Sequence, residues 1–311
     1  MQIFRSNGKI LLTGEYAVLD GALALALPSK KGQTMIVESA AEGKIAWHNF
    51  DENGKLWFES HFSIEADRIK SVKKDEFSPD DPEGKAIDER LEQILNAAFK
   101  LNKNAFSGKG YKITNRLDFN RKWGLGTSST LINNLAQWLN IDHYLLLERT
   151  FGGSGYDIAA ASNDQPVLFQ ITEHGPESFK THFAPEFVEH LFFVYLNRKQ
   201  NSREAIAHYR KQSKDQNAEL VKKISGITTQ LLESENLEQF RLLLEAHESL
   251  ISQAIKLPKI KNQLFPDFPG TLKSLGGWGG DFILAIGNEK EKEYFRRKGY
   301  STIFDYTELI K

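Results

Sequence analysis

The chain has 311 residues, 40 of them Lys or Arg and 41 Asp or Glu, for a formal net charge of −1. That length suits two domains or one large one with a substantial core, and the balanced charge gives no global attraction to nucleic acid or an anionic membrane, so any anion site has to be local. The absence of Cys excludes disulfides, thiolate metal sites and cysteine nucleophiles, and fits a reducing compartment.

The first stretch, MQIFRSNGKILLTGEY, carries Arg5, Lys9 and Glu15 and has no apolar segment long enough for a secretory signal. No later run approaches a membrane span, so the sequence reads as a cytoplasmic protein. KILLTGEYAVLDGALALALP predicts two apolar runs around a turn, and KIAWHNFDENGKLWFESHF alternates on both sides of Asn53-Gly54, a hairpin signal. An antiparallel sheet is expected. The spacing of Ile87, Leu91, Ile94, Leu95, Ala98 and Leu101 predicts a helix over 81–101, after which GYKITNRLDF returns to a strand.

In KWGLGTSSTLINNLAQWLN two glycines, a threonine and two serines precede Leu131, Ile132, Leu135 and Leu139, which recur at helical spacing. A hydroxyl-rich, flexible turn that opens a helix can point backbone N–H groups and the positive end of the helix dipole at one anion such as phosphate. Thr and Ser also cap ordinary helices, and this stretch alone leaves both readings open. GGSGYDIAAASNDQPVLFQI follows, then a polar stretch from Thr172 to Phe183 that is taken as the domain boundary, giving domains 1–175 and 176–311. Beyond it HLFFVYLN reads as a strand, the chain is helix-rich from Ser202 to Ile255, Pro258 breaks it, and GGWGGDFILAIG runs a glycine cluster into a buried-strand pattern.

GKILLTGEYAVLDG, WGLGTSST, GSGYDIAAA and GGWGGDFILAI resemble, in order and spacing, the motif segments of the GHMP kinases, the superfamily of galactokinase, homoserine kinase, mevalonate kinase and phosphomevalonate kinase. The resemblance spans nearly the whole chain. Tyr16 after the Glu of the first motif, SGYDI in place of SGxDN, and the Asp that closes the last glycine motif are most similar to phosphomevalonate kinases. The resemblance implies an α+β protein of two domains, the first like domain 2 of ribosomal protein S5 and the second ferredoxin-like, with ATP and substrate in the cleft between. It departs from the family in lacking a Pro-Ala-Gly lead-in to the GLG motif, in Trp278, whose bulk could narrow the site, and in NRKQNSREAI, where only Ser202 matches a small-residue turn.

Phosphoryl transfer requires a cradle for the polyphosphate, a cation to neutralise it and a positioned nucleophile. By resemblance, Gly124, Leu125, Gly126, Thr127, Ser128 and Ser129 hold ATP, with Gly277 and Gly279 letting the second domain approach the nucleotide, while Ser128 and Glu148 are the candidate Mg2+ ligands. Lys9 matches the lysine that approaches the reacting group, and Asp157 the catalytic aspartate that orients or deprotonates the acceptor. Lys9, Tyr16, Ser154, Gly155, Asp157, Lys199 and Ser202 are the substrate candidates. Lys30, Lys31, Arg149 and Arg203 are further cations for an anionic substrate. Glu15 is expected to tie the first turn together, and His247, in EAHESLI on an amphipathic helix, to be a packed or partly exposed residue. The resemblance implies ATP-dependent phosphorylation of a small anionic metabolite, 5-phosphomevalonate first, then mevalonate, then homoserine or a sugar; a non-catalytic ligand sensor on the same fold is the remaining reading.

Overall fold

A computed structural model describes residues 1–72, 81–198, 203–211 and 214–311, with the main chain alone at 203–205 and 214–216. Its elements in chain order are β1 (Gln2–Thr13), β2 (Ala24–Ser39), β3 (Lys44–Phe50), β4 (Leu56–Ile64), β5 (Ile69–Ser71), α1 (Pro82–Leu101), β6 (Tyr111–Leu117), α2 (Thr127–Leu139), α3 (His143–Glu148), α4 (Tyr156–Ala161), β7 (Val167–Thr172) and β8 (Gly175–Lys180). The chain continues through β9 (Leu191–Tyr195), α5 (Arg203–Tyr209), α6 (Lys214–Leu232), α7 (Leu237–Ile255), α8 (Ile260–Leu264), β10 (Leu272–Ser274), β11 (Phe282–Ile286), α9 (Glu289–Arg297), β12 (Ile303–Asp305) and α10 (Tyr306–Leu309).

The chain divides into two compact units that interleave along the sequence: one of 1–8, 31–121 and 126–162, the other of 9–30, 122–125 and 163–311. The expected single cut at 175/176 is not the division observed. The reason is local: β1 and β2 are long strands of 12 and 16 residues, and each gives its two ends to different units.

In the first unit the strand order is β5-β4-β3-β6-β2, antiparallel except for the parallel β3/β6 pair. The β3–β4 hairpin turns through Gly54 at φ 75°, the left-handed conformation that Asn-Gly turns supply. Burial alternates along β3, and the buried set, Ile45 and Trp47, joins Met35, Val37, Ile113 and Phe62 from the other strands with Leu91, Ile94 and Leu95 of α1 and Ile132 and Leu135 of α2 in one core. The predicted helix over 81–101 is α1, started by Pro82 at its first position and by the Asp81 carboxylate accepting the Gly84 N–H at 2.9 Å.

In the second unit residues Ala24–Ala26 of β2 pair with β7, which pairs with β8. β8 lies inside the stretch taken from sequence as the boundary; it is largely exposed, Phe179 included, because it lies at the end of the sheet order. A separate antiparallel sheet has the order β10-β11-β9-β12, and β9 and β11 are buried along their whole length. Phe192, Phe265, Phe268, Ile283 and Phe295 form one core of this unit; Tyr16, Tyr209, Ile224, Ile251, Ile255 and Trp278 form another around α5, α6 and α7.

Candidate active site

The turn into α2 has the features expected of an anion cradle. Gly124 and Gly126 adopt φ 68° and 98°, and Gly126 is the N-cap of α2, so no side chain caps the helix. The first α2 amide with an intrahelical acceptor is that of Thr130, which donates to Gly126 O at 2.9 Å. The hydroxyls of Ser129 and Thr130 also donate to that carbonyl, at 3.0 and 2.9 Å, so Ser129 is buried and contributes its main chain to the turn. Ser128 is exposed and Thr127 half-buried in the first helical turn. The alternative of simple capping by Thr or Ser therefore has no hydroxyl performing it.

Two sets of contacts hold the cradle from behind. Within the first unit, Thr130 Oγ1 lies 2.8 Å from the Gln33 side-chain amide, and the buried Asn133 and Asn134 bond Ser6 on β1, Asn134 also donating to Gln33 O at 3.1 Å. His143 completes this polar cluster through Asn133 Oδ1 at 2.9 Å, and burial lowers its pKa below the usual imidazole value. Within the second unit, Trp123 packs on Tyr195, Phe282 and Phe304 with ring centroids 5.2 to 6.3 Å apart. Trp123 stands directly before Gly124 of the turn.

Lys9 is half-buried on β1, and its main-chain N–H donates to Leu125 O at 2.9 Å, which brings the lysine strand and the GLG turn together. The last glycine motif reaches the same turn: a Cβ on Gly124 would lie 2.5 Å from the Asp281 carboxylate, so only glycine fits there. Asp281 itself has φ 52°, an uncommon conformation for a residue other than glycine. The Gly276–Gly280 loop is fixed by Arg198, whose Nε donates to Gly279 O at 2.6 Å and whose carbonyl accepts the Asp281 N–H at 2.9 Å. Gly277 and Gly279 are both buried. Trp278, expected to narrow a site, is instead 3% exposed in the α5–α7 core, with its indole N–H donating to Pro258 O at 2.9 Å.

The remaining candidates sit as follows. Asp157 is half-buried in the first turn of α4, behind the left-handed Gly155 and the buried Ser154, and its Oδ1 accepts the Ile158 N–H at 3.0 Å. α4 packs on α2. Tyr16 is only 6% exposed and its hydroxyl accepts the Trp278 N–H at 3.2 Å, which gives it a scaffolding place in the core rather than an open substrate position. Glu148 is exposed on the last turn of α3, and among the described residues no group of three His, Cys, Asp or Glu gathers to hold a metal. Arg149 and Lys30 are exposed, Lys30 donating to Thr307 O, and Lys31 is half-buried. Lys199 and Ser202 lie outside the described residues, as does the side chain of Arg203.

Sequence reasoning missed a buried ionic cluster in the second unit. Glu15, 2% exposed, is paired with Lys273, which is fully buried; Lys273 Nζ also donates to Ser274 O at 2.8 Å. His247, also fully buried, lies 3.3 Å from Glu15 and accepts the Gly14 N–H on Nε2 at 3.0 Å, while the buried Glu248 accepts the N–H and hydroxyl of Ser274 at 3.1 and 2.8 Å. Burial pushes Glu15 up to about 7 against the opposing pull of Lys273, raises Glu248, and with Lys273 holds His247 well below the usual imidazole range, hence neutral.

No family model and no curated protein matches the chain. Solved structures do. Methanococcus jannaschii mevalonate kinase is similar with a TM-score of 0.67 at 17% identity, over 97% of this chain and 96% of that one. L. major mevalonate kinase in complex with R-mevalonate gives 0.69 at 15%, over 100% and 96%. Streptococcus pneumoniae phosphomevalonate kinase in complex with phosphomevalonate and AMPPNP gives 0.68 at 15%, over 98% and 99%. The chain thus has the two-domain α/β fold of the GHMP kinases, with one large and one small sheet. Among the described residues no helix is long and apolar enough to cross a membrane.

Proposed function

We propose that the protein is an ATP-dependent small-molecule kinase that phosphorylates a small anionic metabolite, 5-phosphomevalonate before mevalonate. The observation that carries the kinase reading is the start of α2: three first-turn amides, at Thr127, Ser128 and Ser129, preceded by a left-handed glycine N-cap, with no side chain capping them. Such a turn binds the oxygens of a polyphosphate through main-chain N–H groups and the helix dipole. A Mg2+ carried on the phosphates requires only one or two protein oxygens, so the lack of a dense carboxylate cluster among the described residues is compatible with it; Ser128 and Glu148 are the proposed ligands. The ion would neutralise charge on the transferring phosphoryl group.

In this reading Lys9 stabilises the developing negative charge and Asp157 orients or deprotonates the acceptor. The order of substrates rests on the SGYDI motif and on Asp281, which resemble phosphomevalonate kinases. ADP release by purified protein, measured with mevalonate, phosphomevalonate, diphosphomevalonate, homoserine and galactose, tests it. Turnover confined to phosphomevalonate is expected; preference for another acceptor overturns the substrate, and absence of turnover and of ATP binding overturns the kinase.

The cradle has its own test. A valine at Gly126 would place a β-branched side chain at φ 98° in the turn, so Gly126→Val should raise the Kd for ATP at least about tenfold. Calorimetry on a variant whose circular dichroism shows a retained fold reads this. Unchanged affinity would reduce the turn to a helix start.

A further inference from the structure

We propose that the buried Glu15–Lys273 pair, braced by His247 and Glu248, is a positioning device for the Gly276–Gly280 loop, and that the ligand affinity of the loop follows the charge state of the pair. The proposal rests on the kinase reading only in taking ATP as that ligand.

The geometry ties three segments of the second unit to one point. Lys273 stands on β10 directly before the loop, and holds both Glu15 and the carbonyl of Ser274. Glu248 on α7 takes both donors of Ser274, the next residue toward the glycines. His247, its neighbour, holds the N–H of Gly14, which lies close against β2: its φ is 98°, and a Cβ there would lie 2.5 Å from the Ala24 side chain. Two residues on, Tyr16 accepts the main-chain N–H of Trp278 in the middle of the loop. The loop is thus set from its start by Lys273 and Glu248 and from its centre by Tyr16, and the Glu15–Lys273 contact joins those two supports. A change in that contact is transmitted to the glycine backbone without any of the four residues touching a ligand.

The cluster is also built to change charge. The charged groups around Glu15 are Lys273 from β10 and His247 and Glu248 from α7; Lys259 acts on Glu248, and the turn after Tyr16 offers Asp20, whose carboxylate is taken by Tyr209 and Asn217. One ammonium faces two carboxyls and a neutral imidazole. Among the described residues Glu15 Oε2 and His247 Nδ1 have no hydrogen-bond partner, so the bracing is incomplete and depends on the charge that Glu15 carries. Glu15 titrates near 7 for the reason of burial already given, so the ionised pair is present above that pH and is lost as pH falls through it.

The experiment compares wild type with Glu15→Gln and with the neutral, volume-conserving double variant Glu15→Gln/Lys273→Met, which avoids an unpaired buried ammonium if the single variant does not fold. ATP affinity at pH 6 and pH 8 is read as the ratio of variant to wild-type Kd, which cancels protonation of ATP itself. That ratio should be about tenfold at pH 8 and near one at pH 6. Hydrogen exchange of the Gly276–Asp281 amides, corrected for the intrinsic pH effect, is read in parallel without ligand: protection should fall in wild type between pH 8 and pH 6 and stay level in the double variant. Equal pH responses of exchange in wild type and variant overturn the proposal. If wild type binds no ATP, the kinase reading fails by itself, and the exchange result still decides the positioning role.

Discussion

Lys9→Met and Asp157→Asn should each lower kcat by about two orders of magnitude or more, equivalent to about 2.7 kcal/mol of transition-state stabilisation, while leaving ATP binding largely intact. The expectation for Lys9 comes from its strand. β1 is pinned to the GLG turn by the Lys9 N–H and Leu125 O, so the side chain leaves the main chain at the segment proposed to hold the triphosphate. A cation fixed at that point costs no reorganisation as charge develops, which is why it acts on kcat more than on binding. Methionine keeps the length of the side chain and removes only the charge. Asp157 is placed by a different device, the left-handed Gly155 that starts α4, and its carboxylate is held to its own helix by the Ile158 N–H. Asparagine preserves that hydrogen bond and removes the basic oxygen. A phosphate monoester acceptor is mostly dianionic at neutral pH and an alcohol is not, so the Asp157 effect should be the larger of the two if mevalonate turns out to be the better substrate. Fluorescent-nucleotide titration with steady-state turnover reads both quantities, and turnover near wild type in both variants would remove the catalytic assignment.

What the sequence made legible followed from local signals. Asn53-Gly54 between alternating strands, Asp81-Pro82 before an apolar helical period, and GLGTSST before Leu131 each state their structure within a dozen residues, and β3–β4, α1 and α2 are where those signals put them. α9 escaped because its only buried residue is Phe295; it is specified by the Asn288–Glu291 capping box and charged pairs, not by an apolar stripe. The interleaved units escaped because nothing in the composition of β1 or β2 marks where each strand changes partners. The candidate site was legible as motifs, but not in how it is supported. Trp278 looked like an intrusion into a glycine loop and is the anchor of that loop. Lys273 carries no local signal among forty Lys and Arg, since lysine is almost never fully buried unless paired and its partner is 258 residues away in sequence.

Full burial against a buried carboxylate makes the loss of Lys273 costly to the fold. Lys273→Met removes the ammonium and leaves Glu15 buried, a change of the kind that destabilises by about 3–5 kcal/mol because a carboxylate remains without its partner in a dry interior. The cost should depend on pH, with a definite sign. Glu15 titrates near 7 in the folded chain and near the ordinary 4.5 when unfolded, so between those values the folded state holds a proton that the unfolded state has released. Stability from this group therefore declines as pH rises from about 4.5 to about 7 and is level above that. Lys273 is the largest influence pulling Glu15 down, so without it the decline should continue past pH 7. Urea unfolding at pH 6, 7 and 8 should show a deficit in Lys273→Met that is smallest at pH 6 and grows toward pH 8. Adding Glu15→Gln should recover most of it and reduce the growth, leaving the buried Glu248, which Lys273 also pulls down, as the carboxyl that still answers to pH. A deficit of the same size at all three pH values would mean that lost packing of the lysine stem, and not the stranded carboxylate, is what the substitution costs.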